Sequence, residues 1–157
     1  MKILFSALLF CLLFCVSAFA QEAEKIDEFS NIPCDDYLAR VDAAIYQAHN
    51  NPTSIVYVFI YEGKEYIYNW RKKKTEYVLP ANGSAKAKIA SMKEYFSTKK
   101  VLVKNIKFIE AGFRENSTVE FWLVPNGVEP PKPVPTLETM KYRKGKAKGF
   151  CIDCCGI

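Results

Sequence analysis

Eight consecutive residues, "SIVYVFIY" from Ser54 to Tyr61, carry no charge, no Gly and no Pro. β-Branched and aromatic side chains dominate the run, which favours a strand. Alternate residues of a strand point to opposite faces, so a run that is apolar at nearly every position needs cover on both. A central strand therefore organises the fold, and the rest of the chain must supply layers around it. Gly63 is the expected end of this strand.

The flanking segments supply the layers. Asp35 and Asp36 follow Pro33 and suit a helix N-terminus, where carboxylates meet free N–H groups. Leu38, Val41, Ile45 and Ala48 then share one helical face, and "HNNP" stops the helix. Ser84 is positioned to cap a second helix. Ala85, Ile89, Met92 and Phe96 make its buried stripe, with Lys86, Lys88 and Lys93 expected to face mostly outward. "EKIDEFSN" suits a short edge strand through Ile26 and Phe29. "VKNIKFIEAG" alternates through Ile106 and Phe108. "TVEFWLVP" sets Val119, Phe121 and Leu123 against Glu120 and Trp122, the pattern of a half-buried strand. "EYIYNWRKKKTEYVLP" reads either as a hairpin turning within Arg71 to Lys74 or as a charged loop. Gly112 is the expected point of reversal before the last strand, with Arg114 and Glu115 at the tip.

The ends of the chain read differently. Lys2, the apolar run "ILFSALLFCLLF" and Ala18-Phe19-Ala20 form a secretory signal over residues 1–20, with cleavage expected after Ala20. A retained anchor is the alternative, but the run is short for a membrane span, and no later segment is long and apolar enough for one. Cys11 and Cys15 each follow Phe, where a lipoprotein signal has a small residue. Without Lys2, 21 basic side chains face 17 acidic ones, a net charge of +4. That is a mild bias towards anionic partners and not a nucleic-acid signature. At the far end, "EPPKPVPT" is polyproline-like and "KYRKGKAKG" is basic, so residues 128–157 read as a tail beyond a domain of residues 21–127. Cys34, Cys151, Cys154 and Cys155 remain after signal removal. In an exported chain they make two disulfides most simply, with Cys34 bonded to one of the other three.

The order is strand, helix, strand, helix, strand, strand. Lys88, Met92, Tyr95 and Phe96 of "KIASMKEYF", Gly112, Phe113 and Glu115 of "NIKFIEAGFRE", and Asn116, Val119, Glu120 and Phe121 of "NSTVEF" follow three segments of a known pattern. Those segments run L-S-x-x-R-A-x-x-V-x-x-Y-L, R-I-x-x-x-G-Y-G-E and N-R-R-V-E-I. In them the chain resembles the OmpA-like domain of bacterial envelope proteins, and "IDEF" is similar to that family's first strand. It is also similar to a group of uncharacterised exported bacterial proteins of the same domain shape. The resemblance spans roughly Lys25 to Val124.

The resemblance implies non-covalent binding of peptidoglycan, with an aspartate after the second strand holding a peptide amine and an arginine on the second helix holding a carboxylate. This chain departs at each point. Lys88 stands at the arginine position, keeping the charge without the bidentate fork. "YEGKEY" offers Glu62 and Glu65 in place of the aspartate. Ser117 and Thr118 replace the paired arginines of the last strand, and the family's longer loop before that strand is missing.

Other chemistries are less well supplied. His49 is the single histidine and suits a helix C-terminus. No nucleophile motif accompanies it, so no catalytic set is assigned. Asp35-Asp36, or Glu62 with Glu65, would be the acid pair of a glycan hydrolase, the rival reading. C-x-x-C-C with Asp153 would be a thiol metal site if the cysteines were free, but no second ligand pair accompanies it. Lys141, Arg143, Lys144, Lys146 and Lys148 offer charge to an anionic surface. Asn82-Gly83-Ser84 and Asn116-Ser117-Thr118 fit the glycosylation pattern, which carries little meaning in a bacterial host.

The sequence predicts an exported, periplasmic or extracellular, two-layer α/β sandwich: a βαβαββ-type mixed sheet, two helices packed on one face, and an irregular C-terminal tail. The expected role is non-enzymatic binding in the cell envelope, to peptidoglycan or an anionic surface, without cofactor, metal or nucleic acid. Lys88, Glu62, Lys64 and Arg114 are the candidate ligand-binding residues.

Overall fold

A computed structural model of the chain describes residues 22–69, 71–99 and 105–150. Strand β1 spans Glu24–Ser30, helix α1 Cys34–Asn50, β2 Ser54–Asn69 and β3 Lys74–Val78. Helix α2 spans Ser84–Thr98, β4 Ile106–Asn116 and β5 Thr118–Pro125. The result is the expected mixed sheet with two helices. Among the described residues no helix is long and apolar enough to cross a membrane.

The apolar run is the sheet's centre. Val56 to Ile60 pair in parallel with Ile106 to Glu110 of β4 and antiparallel with Leu123 to Val119 of β5, so β4 and β5 flank β2 on opposite sides. β1 adds an antiparallel edge outside β5. Val56, Val58 and Ile60 enter the helix-side core with Val41, Ala44, Met92 and Phe96, while Tyr57, Phe59 and Tyr61 enter a second core on the other face. Each such side chain contributes about 1.5–3 kcal/mol by leaving water. Beyond Gly63 the distal half of β2 pairs with β3 from Glu65↔Val78 onward. The ambiguous segment is thus a hairpin, with Lys73 in the left-handed region at φ 49°.

Four expectations change. Gly63 does not end β2; it lies in mid-strand because Ser117 alone separates β4 from β5, and that link must cross β2. It crosses at Gly63, where an added Cβ would lie 2.3 Å from the Asn116 carbonyl carbon and 2.5 Å from the Ser117 nitrogen. Gly112 does not reverse the chain either. At φ 91° it sits inside β4, where Ile60 faces Glu110 but Glu62 faces Phe113, leaving one extra residue on β4. Pro135 packs 3.1 Å from where a Gly112 Cβ would stand. Ser84 does not cap α2: the cap position is Gly83 at φ 78°, and Ser84 is buried with its Oγ unpartnered among the described residues. Finally, β5 is not half-buried. Glu120 is 4% exposed, because a layer covers its face as well.

That layer comes in part from the tail, which is irregular as expected but packed on the domain. Val128 joins the second core. The Val134 N–H donates to the Tyr61 hydroxyl at 3.1 Å, and the Thr136 and Leu137 N–H groups donate to the Phe113 carbonyl. Further on, the Arg143 N–H donates to the Pro80 carbonyl at 3.0 Å, and Phe150 joins the helix-side core. Residues 128–150 therefore reach both faces of the sheet.

Candidate functional site

Lys88 lies on the inner side of α2, one turn past its start, and is 7% exposed rather than facing solvent. Its ammonium contacts the Glu65 carboxylate at 2.9 Å and donates to the Ser117 hydroxyl. Glu65 stands just after the crossing on β2, and Ser117 is the crossing residue itself. The three are far apart in sequence and meet because the β4–β5 link passes over β2 beside α2. A buried ammonium with no counterion would be strongly unfavourable, so Glu65 is what permits Lys88 to sit there.

The group borders a cavity of about 220 Å³, lined also by Phe29, Tyr37, Tyr66 and Phe150. Arg143 and Lys148 reach the same cavity, and the Arg143 guanidinium stands 4.0 Å from Glu65. Three cations thus face one carboxylate, which favours an anionic group in the remaining space. Tyr37 is 4% exposed, and its hydroxyl has no partner among the described residues. Burial holds that phenol well above its ordinary pKa, so it stays a neutral donor.

The other candidate residues stand elsewhere. Glu62 accepts the Ala85 N–H at 2.8 Å and the Tyr142 hydroxyl at 2.6 Å. It satisfies a free amide at the start of α2, the role expected of Ser84, and its charge favours that helix end. Tyr142 is raised to about 12 by burial and by the Glu62 carboxylate it bonds. Lys64 is exposed, with Glu115 at 3.5 Å.

Arg114 points to the second core. Its guanidinium stacks 3.6 Å from the Tyr61 ring centre, bonds Glu120 at 2.7 Å and Glu28 at 3.0 Å, and donates to the Val134 carbonyl at 3.3 Å. Burial alone would push the Glu120 carboxyl up. The hydrogen bonds from Trp122 and Arg114, with the charges of Arg114 and Lys25, outweigh burial and hold it below its ordinary value. Arg114 is thus an anchor for the tail.

His49 is exposed in the last turn of α1, as expected. Among the described residues no three His, Cys, Asp or Glu side chains gather as a metal site. Cys34 is disulfide-bonded; Cys151, Cys154 and Cys155 lie outside the described residues. The sequence offered Lys88 as a candidate but placed it on the outward side of the helix. Glu65 was visible only as one of two acids expected to follow the second strand, though it lies within β2. Arg143 was visible only as one of the tail's basic residues, and Tyr37 gave no signal, since their meeting depends on the tail's path. No protein-family model, no curated protein and no solved structure matches the chain.

Proposed function

We propose that this chain is an exported, non-enzymatic cell-envelope protein that binds a carboxylate-bearing wall component, of which peptidoglycan peptide is the first candidate, in the Lys88 pocket. The observation that carries the reading is the convergence of Lys88 with Glu65, just past the crossing on β2, on one cavity. The OmpA-like resemblance assigns a cation on the second helix and an acid after the second strand to ligand holding. Lys88 and Glu65 answer to those two positions. The surplus of positive charge and the unpartnered Tyr37 hydroxyl suit a ligand carboxylate. Binding is favoured over glycan hydrolysis because Glu62 holds α2 and Tyr142 and Glu65 holds Lys88, while the exposed Asp35 and Asp36 stand in the first turn of α1 and do not line the pocket.

The test is co-sedimentation of the mature protein, residues 21–157, with purified insoluble peptidoglycan at moderate salt. Wild type should sediment. Lys88→Ala should sediment on the order of tenfold less, as expected for loss of one charge-assisted contact of 1.5–3 kcal/mol. Lys88→Arg should restore binding, because charge is kept. Equal sedimentation of wild type and Lys88→Ala would refute the reading.

A further inference from the structure

We infer that Phe150, at the end of a strap formed by residues Tyr142–Phe150, occupies the Lys88 pocket in place of a ligand, so that the pocket fills from outside only when the Phe150 end of the strap lifts while Arg143 stays anchored on Pro80. This rests on the reading of that pocket as the ligand site. The Phe150 ring stacks on Tyr37 with centres 3.9 Å apart and planes 17° from parallel. The Lys88 ammonium stands 5.3 Å from the centre of the same ring. With Glu65 and Ser117 on its other sides, Lys88 meets Phe150 where a ligand carboxylate would approach.

The fit is specific along the strap. The Phe150 N–H donates to the Ser91 hydroxyl at 2.9 Å. Gly149 lies so near α2 that an added Cβ would stand 2.6 Å from the Ser91 Cβ and 3.1 Å from the Ala87 carbonyl oxygen. At the near end, Tyr142 is tied to Glu62 and the Arg143 N–H to the Pro80 carbonyl. Between these ends Lys144, Lys146 and Lys148 are exposed. The stretch between these ends is largely exposed and belongs to no strand or helix, so the strap opens locally more readily than the sheet beneath it. Its Phe150 end carries the largest apolar contact, so that end controls access to Lys88.

Amine acetylation of the intact mature chain, read residue by residue by mass spectrometry, tests the inference without any ligand. Lys86, exposed on the same helix, is the internal reference. Phe150→Ala removes the stacked ring and should speed labelling of Lys88 on the order of tenfold while Lys86 is unchanged. Gly149→Val keeps the ring but forces the strap off Ser91, and should give the same rise. Unchanged Lys88 labelling in both variants would overturn the inference. So would faster labelling at lysines throughout the chain, which reports loss of the fold.

Sedimentation of the same variants with peptidoglycan separates the two readings. More sedimentation together with faster Lys88 labelling supports both. Faster labelling with no sedimentation of any variant supports the strap and refutes the wall ligand.

Discussion

Gly63→Ala tests the crossing that assembles the site. Gly63 is buried, and its φ is not in the left-handed region. An alanine there meets no backbone penalty, and elsewhere such a change stabilises by about 0.4–1 kcal/mol through the unfolded chain. Here the added Cβ would stand 2.3, 2.5 and 2.6 Å from three backbone atoms of Asn116, Ser117 and Arg114. Backbone cannot swing aside as a side chain does, so the crossing must lift by about an ångström. Overpacking of this kind costs about 1–3 kcal/mol. Lifting the link also stretches the 3.0 Å bond from the Ser117 N–H to the Lys64 carbonyl, and a buried donor left unpaired costs about 1–3 kcal/mol more. The expected loss is therefore about 2–6 kcal/mol. Taking about 4 kcal/mol, the melting temperature falls by roughly 12–20 °C for a domain of this size. Urea unfolding followed by circular dichroism measures the loss by linear extrapolation. Gly127→Ala is the control: its φ is 85° with nothing within 4 Å of the added atom, so it should cost only about 1–2 kcal/mol. A Gly63→Ala protein as stable as wild type, or more stable than Gly127→Ala, would refute the crossing.

Three further outcomes follow from the tail and its anchors. Because the Glu120 carboxyl titrates below its ordinary value in the folded chain, its charged form stabilises the fold above the ordinary carboxylate range. That contribution is lost as pH falls through the lowered value, so Glu120→Gln should flatten the acid limb of a stability–pH profile, and an unchanged limb counts against the Arg114–Glu120 anchor. Tyr142 is raised to about 12, so its contribution is whole below the ordinary tyrosine value near 10 and fades as pH climbs towards 12; Glu62→Gln should return its ultraviolet titration towards 10, and no change would deny the bond. Peptide mapping without reductant should recover the Cys34 peptide joined to one from residues 151–155, and recovery of both as separate peptides would refute that pairing.

The strand order and both helices were legible because they follow from local periodicity. Val41, Met92 and Phe96 lie at helical spacing, and "SIVYVFIY" allows no exposed face. The same periodicity misplaced Lys88, since helical spacing says which residues share a face and not that a buried cation has a carboxylate waiting across the sheet. Ser84 failed as a cap for a related reason. Glu62 reaches the helix end from 23 residues away, and no local pattern records that. Glu120 and Trp122 alternate with apolar neighbours as a half-buried strand should, yet Arg114 and Tyr61 bond the Glu120 carboxylate beneath cover that belongs in part to the tail.

Two glycines mark the boundary between the two kinds of information. The sequence by itself determined that the central strand needs cover on both faces, but it took Gly63 for that strand's end and Gly112 for a reversal. Only the tertiary structure decided that Gly63 is a crossing, that Gly112 is a bulge beneath Pro135, and that the tail helps supply the second cover. The physical reason is separation along the chain. Periodicity and turn chemistry act over a few residues, whereas Lys88, Glu65, Ser117 and Phe150 meet through backbone paths set by the sheet as a whole.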